Sequence, residues 1–166
     1  TEPKKIGWYA GMQYDGDIAN AKTVLSEVNK HYPEATKYEV AGFFFWQGDK
    51  DRYKVGHAAR YEKNLVQFIK ALRQEFDAPN AKFVCATLGQ SAKDSATGND
   101  KLILEAQLAV DGSTGKYPEF KGNVATVYTN PISQGGASNG HYGGNARTYM
   151  DVGLAMGEAM TKLLGE

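Results

Sequence analysis

The chain has 166 residues, 42% of them apolar and 11% aromatic, enough for one domain, 1–166, with a core and too apolar for disorder. Lys plus Arg and Asp plus Glu stand at 19 each with no basic run, so no nucleic-acid partner is expected. The longest apolar stretch, 40–46, is far shorter than the roughly 20 residues that cross a bilayer, and the opening TEPKKIGW has no signal-peptide core, so no membrane partner is expected either.

From Asp17 the apolar residues fall at helical spacing. Ile18, Ala21, Val24, Leu25 and Val28 share a face, Asp15 or Asp17 can cap the start, and Pro33 follows an end near His31. YEVAGFFFW, 38–46, is short, rich in aromatic and β-branched residues and apolar on both alternating faces, which predicts a central strand of a parallel sheet. A long helix follows over 56–76, with Tyr61, Leu65, Phe68, Ile69, Leu72 and Phe76 on one stripe. AKFVCATL, 81–88, predicts a second buried strand, and 99–111 a helix opening at Asn99 or Asp100. NVATVYT, 123–129, predicts the third strand. A last helix over 146–164 turns Tyr149, Val152, Met156, Met160 and Leu163 inward.

Strands separated by helices of this length imply right-handed crossovers and a mainly parallel sheet covered on both faces, a three-layer α/β/α domain of flavodoxin-like type. Three strands with four helices leave a strand edge without a partner, so a second polypeptide is expected to complete the sheet. Ligands of such sheets bind beyond the carboxyl ends of the strands. The segments leaving those ends are QGDKDRY, GQSAKD and NPISQGGASNGHYGGN.

Lone Cys85 sits among apolar neighbours, which suits a buried, inert thiol. His31, His57 and His141 have no metal-ligand spacing, so no metal is expected and no cofactor is called for. His31 and His57 suit surface or capping positions. In the first loop the Gln47 amide and the Gly48 backbone N–H can stabilise an oxyanion, and Asp49 and Asp51 can orient a base. The alternative is that Asp49, Lys50, Asp51 and Arg52 form a solvated turn of paired charges. His141, in the glycine-rich loop before the last helix, can reach the same edge and act as general base or serve only structurally. Trp46, Gln90 and Tyr142 stand beside these residues as candidates for the oxyanion or substrate side.

EVAGFFFWQGDKD resembles the tryptophan-glutamine-glycine-acid block of SGNH hydrolases of the sialate O-acetylesterase and carbohydrate acetylesterase branch. ARYEKNLVQFIKALRQEF, YPEFKGNVATVYT and GHYGGNARTYMDVGLAMGEAM are similar to later segments of that family, so the likeness runs over nearly the whole chain. The resemblance implies hydrolysis of a carbohydrate acetyl ester in a secreted or periplasmic setting, with Gln47 and Gly48 in the oxyanion region and His141 as base for a serine. Asp49 or Asp51 would support them. Ser138 stands where many relatives carry an aspartate, three positions before the histidine. The family's serine block, which precedes the tryptophan-glutamine-glycine block, is not in the first 42 residues. Gly89-Gln90-Ser91 looks like that block but follows it in order, and Ala92 and Lys93 do not open an apolar helix, which makes Ser91 a loop residue lining the cleft rather than the nucleophile. The chain thus resembles the C-terminal part of the family domain, with the nucleophile expected on another segment, as the start at Thr1 of a fragment or processed product would allow. The competing reading is a non-catalytic remnant that binds glycans or protein through the same edge.

Overall fold

Alternating apolar strands and amphipathic helices bury their apolar surface by stacking helices on both faces of one sheet. The computed structural model describes Tyr9 and residues 11–165. In chain order these form α1 (Met12–Ser26), α2 (Val28–His31), β1 (Gly42–Phe45), α3 (Val55–Glu75), β2 (Lys82–Ala86), α4 (Gly98–Ala109), β3 (Val124–Val127) and α5 (Ala146–Leu164), with 3-10 turns between them. The strands are parallel in the order β1-β2-β3, with Phe44 opposite Val84 and Val84 opposite Ala125. The expected α/β three-layer class therefore holds, and the sheet is open. No helix among the described residues is long and apolar enough to cross a membrane.

Two cores result. On one face α3 and α4 cover Phe83 and Cys85 with Tyr61, Leu65, Ile69, Ile103, Ala106 and Val110. Phe43 and Phe45 pack at its rim against Phe76 and Phe68, ring centroids 5.7 and 4.8 Å apart. On the other face Val152, Met156 and Met160 of α5 cover Val84 and Ala86. Each such aliphatic side chain contributes about 1.5–3 kcal/mol by leaving water. Gly42 is required where α5 crosses the start of β1: a Cβ there would stand 2.6 Å from Met160 Cε and 2.9 Å from Lys82 O.

The structure corrects several sequence expectations. The first helix begins at Met12, not Asp17, behind Gly11 in a left-handed conformation, φ 96°, and neither Asp15 nor Asp17 caps it. It breaks at Glu27, which leaves α2 as a separate turn ending at His31. The helix expected over 99–111, α4, opens at Gly98 behind Thr97 rather than at Asn99 or Asp100. The strand expected to be central has one neighbour among the described residues and is the edge of the sheet, with Phe44 exposed. Tyr149, placed inward by its spacing, is exposed and turns instead onto Trp46 and Tyr142.

Candidate active site

All three strands point their carboxyl ends the same way, so the loops that follow β1, β2 and β3 meet at one edge. Residues of these loops line a cavity of about 390 Å³ there, walled by Trp46, Gln47, Gly48, Asp49, Ser138 and His141 among others. Two segments 89 positions apart are tied across it: the Ser138 hydroxyl donates to Asp49 Oδ1 at 2.7 Å. Arg52 Nε donates to the same oxygen at 2.8 Å, and its Nη1 reaches Asp100 on α4 at 3.4 Å. Burial pushes the Asp49 carboxyl up, but the hydrogen bonds from Ser138 and Arg52 and the nearby charges of Arg52 and His141 outweigh it, so it lies below its ordinary range. Arg52 is held charged, first of all by its bond to Asp49.

His141 and Tyr142 both sit at positive φ, 50° and 51°, in a run continued by Gly143 and Gly144. Non-glycine residues in this conformation cost on the order of 1–3 kcal/mol each and persist where surrounding contacts enforce them. Here Tyr142 is buried, stacked on Trp46 with centroids 5.6 Å apart, and its phenol oxygen accepts from Gly89 N–H at 3.0 Å. The Tyr149 hydroxyl donates to the His141 carbonyl at 3.2 Å. Close backbone approach also makes Gly135 obligatory, since a Cβ there would lie 1.8 Å from Tyr142 O. The result is an exposed imidazole projected from a braced loop.

Gln47 and Gly48 are fixed from below. Buried Gln107 donates Nε2 to the Gln47 carbonyl at 2.8 Å, the Tyr61 hydroxyl donates to the same carbonyl at 2.8 Å, and Gln107 Oε1 accepts from Leu88 N–H at 3.2 Å. Gly48 has φ 138°, and a Cβ would crowd Ile103, Tyr61 and Gln107 at 3.1–3.2 Å. One N–H of the Gln47 amide goes to Asp51 Oδ2 at 2.7 Å, and an amide carries a second.

The sequence-derived site residues thus divide. Gln47, Gly48, Asp49, His141, Trp46 and Tyr142 share the cavity. Asp51 does not: it orients Gln47 from a neighbouring cavity lined by Tyr14, Tyr61 and Asn64. Gln90 accepts from Ser138 N–H at 3.4 Å, so it positions the histidine loop from outside the cavity. Ser91 is buried at 3% exposure and lines no part of it, and its hydroxyl has no partner among the described residues. His31 and His57 are exposed elsewhere. Sequence reasoning gave no part in the site to Gln107, read Arg52 only as one of a turn of paired charges and placed Tyr149 in the core. Gln107 was detectable as a polar residue on the apolar face of LILEAQLAV. Among the described residues no group of three or more His, Cys, Asp or Glu is placed to hold a metal ion.

A family profile described as carbohydrate esterase, sialic acid-specific acetylesterase, matches residues 6–162. The chain belongs to this family. Hydrolysis of carbohydrate esters is therefore the chemistry of its relatives, and the resemblance read from the tryptophan-glutamine-glycine and histidine blocks holds. A search of curated proteins gives no match. An Arabidopsis thaliana protein solved by X-ray crystallography has the same fold, with a TM-score of 0.60 and 19% identity over 93% of this chain. This chain spans about half of that structure, 55% of its length.

Proposed function

We propose that this chain is the histidine-bearing part of a serine-type carbohydrate O-acetylesterase, acting on sialate or polysaccharide acetyl esters, whose nucleophilic serine lies on a segment outside residues 1–166. The observation that carries this reading is the convergence of His141, Asp49, Gln47 and Gly48 on one cavity from two loops of the same sheet edge. In this reading the serine attacks the acetyl carbonyl while His141 takes its proton. The Gly48 N–H and the Gln47 amide receive the oxyanion, and Asp49, kept ionised, steadies the imidazolium. His141 then returns the proton to the departing sugar oxygen, and water activated by His141 releases acetate from the acyl-enzyme. No cofactor takes part.

A second reading has an observation of its own. Ser138 is the serine of the described residues that lines the cavity, and its hydroxyl is committed to Asp49, as suits a non-catalytic glycan- or protein-binding remnant. Fluorophosphonate labelling and aryl acetate turnover of the native protein, with every polypeptide it contains, separate the two. Labelling on a serine outside this chain, lost turnover in His141→Ala and unchanged thermal unfolding are expected. Absence of both label and acetate release leaves the binding reading, and label on Ser138 or Ser91 would place the nucleophile within this chain instead.

A further inference from the structure

α4 turns Ile103, Leu104, Ala106 and Gln107 inward, and Gln107 is fully buried. Burying an amide costs free energy unless its polar atoms are paired. Its partners here gather at the strand exits. Gln107 Oε1 accepts from Leu88 N–H after β2 at 3.2 Å, one Nε2 hydrogen goes to the Gln47 carbonyl after β1 at 2.8 Å, and the other reaches the Tyr61 hydroxyl at 3.4 Å. A backbone N–H can only donate and a carbonyl can only accept, so one orientation of the Gln107 amide fits. Tyr61 donates in turn to the Gln47 carbonyl at 2.8 Å, and burial pushes its phenol up, which keeps it a donor. The Thr126 hydroxyl on β3 donates to the Gln107 carbonyl at 2.7 Å, so one residue of α4 joins all three strands.

These bonds fix a peptide plane. The Gln47–Gly48 peptide is trans, so its N–H points opposite to its carbonyl. With the carbonyl held toward Gln107 and Tyr61, the Gly48 N–H is aimed away from them, toward the cavity that Gln47 and Gly48 wall. Gly48 is buried, and no acceptor among the described residues takes that N–H. Buried backbone donors are almost always paired, so an unpaired one at a cavity wall is kept for a ligand. Nothing in Gly48 itself holds the arrangement, because a residue without a Cβ lets its peptide turn over. Turned over, the peptide would present its carbonyl oxygen to the cavity and repel a developing negative charge.

We infer that Gln107, assisted by Tyr61, is a positioning residue for the oxyanion: it sets which side of the Gln47–Gly48 peptide meets the substrate, so that a donor and not an acceptor faces the reacting carbonyl. The identity of the ligand rests on the esterase reading, and the orientation of the peptide rests on the hydrogen bonds alone. Neither Gln107 nor Tyr61 lines the cavity, so their effect reaches the reaction through Gly48.

Isotope labelling reads the peptide directly. Gln-Gly occurs twice in the sequence, at 47–48 and 134–135, so labelling the glutamine carbonyl carbon and the glycine nitrogen singles out these two peptides of the chain, the second as internal control. In the native protein, with every polypeptide it contains, the Gly48 N–H should show one orientation by residual dipolar coupling. In the double variant Gln107→Met, Tyr61→Phe it should average between two, with Gly135 unchanged. Kinetics read the consequence. Gln107→Met is expected to lower kcat for aryl acetate by about tenfold to a hundredfold with KM within about twofold, since an oxyanion donor acts in the transition state. Tyr61→Phe leaves one donor on the carbonyl and should lose less. Gln107→Glu supplies a pH signature: the introduced carboxyl donates to the Gln47 carbonyl when protonated and repels it when ionised. The ratio of its kcat to that of the parent should fall as pH rises, and the titration of His141 cancels from that ratio. Unchanged kcat in folded Gln107→Met, a loss carried by KM, a low Gln107→Glu ratio that does not change with pH, or a single Gly48 orientation in the double variant would each overturn the inference. Where Gln107→Met does not fold, Gln107→Glu and Tyr61→Phe decide it. If the parent releases no acetate the esterase reading fails, and the dipolar couplings still decide how the peptide is held.

Discussion

α3 and α1 lie on the same face of the sheet, and both carry an apolar stripe at helical spacing. α3 buries Ala58, Tyr61, Leu65, Val66, Ile69 and Leu72, whereas no residue of α1 is fully buried. The difference lies beneath them. α3 rests on Phe83 and Cys85 of β2, while α1 touches that core only through partly buried Tyr14 and Ile18, and its Ala21, Val24 and Leu25 line a groove beside β1. An amphipathic pattern thus specifies which face of a helix is made to be covered, and the topology decides whether this chain supplies the cover.

The largest effect should come from breaking the covered side. Ile69 is fully buried, so Ile69→Ala is expected to lower stability in urea by about 2–5 kcal/mol. Val24→Ala on α1 should stay within about 0.5 kcal/mol in the isolated chain. Similar losses at the two positions would mean that α1 is packed in solution and the contrast is false.

Glycines give a second, smaller contrast between the closed and open sides. A Cβ on Gly89 would stand 2.2 Å from Ser133 Oγ and 2.9 Å from Tyr142 Cε1. Gly89→Ala should therefore cost about 1–3 kcal/mol by overpacking and disturb the phenol contact that holds the histidine loop. Gly153, on the open face of α5, has nothing within 4 Å of such a Cβ. There Gly153→Ala should stabilise the isolated chain by up to about 1 kcal/mol through helix propensity, read as a rise in Tm. A loss at Gly153 would show that this face is already covered.

These contrasts also explain what the sequence made legible. α5 spans the residues its 3.6 period predicts, and α3 differs by one position at each end, because periodicity reports which side chains belong inside. The same signal misplaced β1. Phe43, Phe44 and Phe45 read as a strand covered on both faces and flanked on both sides, whereas among the described residues β1 pairs with β2 alone and Phe44 is exposed. Tyr149 fell on the inward stripe, but its ring lies at the end of α5, where Trp46 and Tyr142 take the place of core. The Gln47, Gly48 and His141 cluster followed from strand order, since parallel strands bring their exits together. Which acid joins them did not. Asp49 and Asp51 are two residues apart, and only folding shows that the first meets Ser138 across 89 positions while the second turns to the Gln47 amide.

The Asp49–Ser138 contact is where the loop leaving the open strand is tied to the loop entering α5, and it gives the smallest effect and the one with a sign. Asp49 has a folded pKa below its ordinary value. Its contribution to stability is therefore present above the unfolded value, near 3.9, and is lost as pH falls through the lowered folded value. Ser138→Ala removes one of the bonds that lower it and leaves the burial that raises it, so the folded pKa moves up. The variant should then be less stable than the parent at pH 7, with the gap between their urea midpoints closing as pH drops below about 4 and both carboxyls protonate. A gap that stays constant down to acid pH would mean that Ser138 acts by packing alone. The tie between the two loops would then not depend on the Asp49 charge, and the case for Asp49 as the acid beside His141 would lose its electrostatic support.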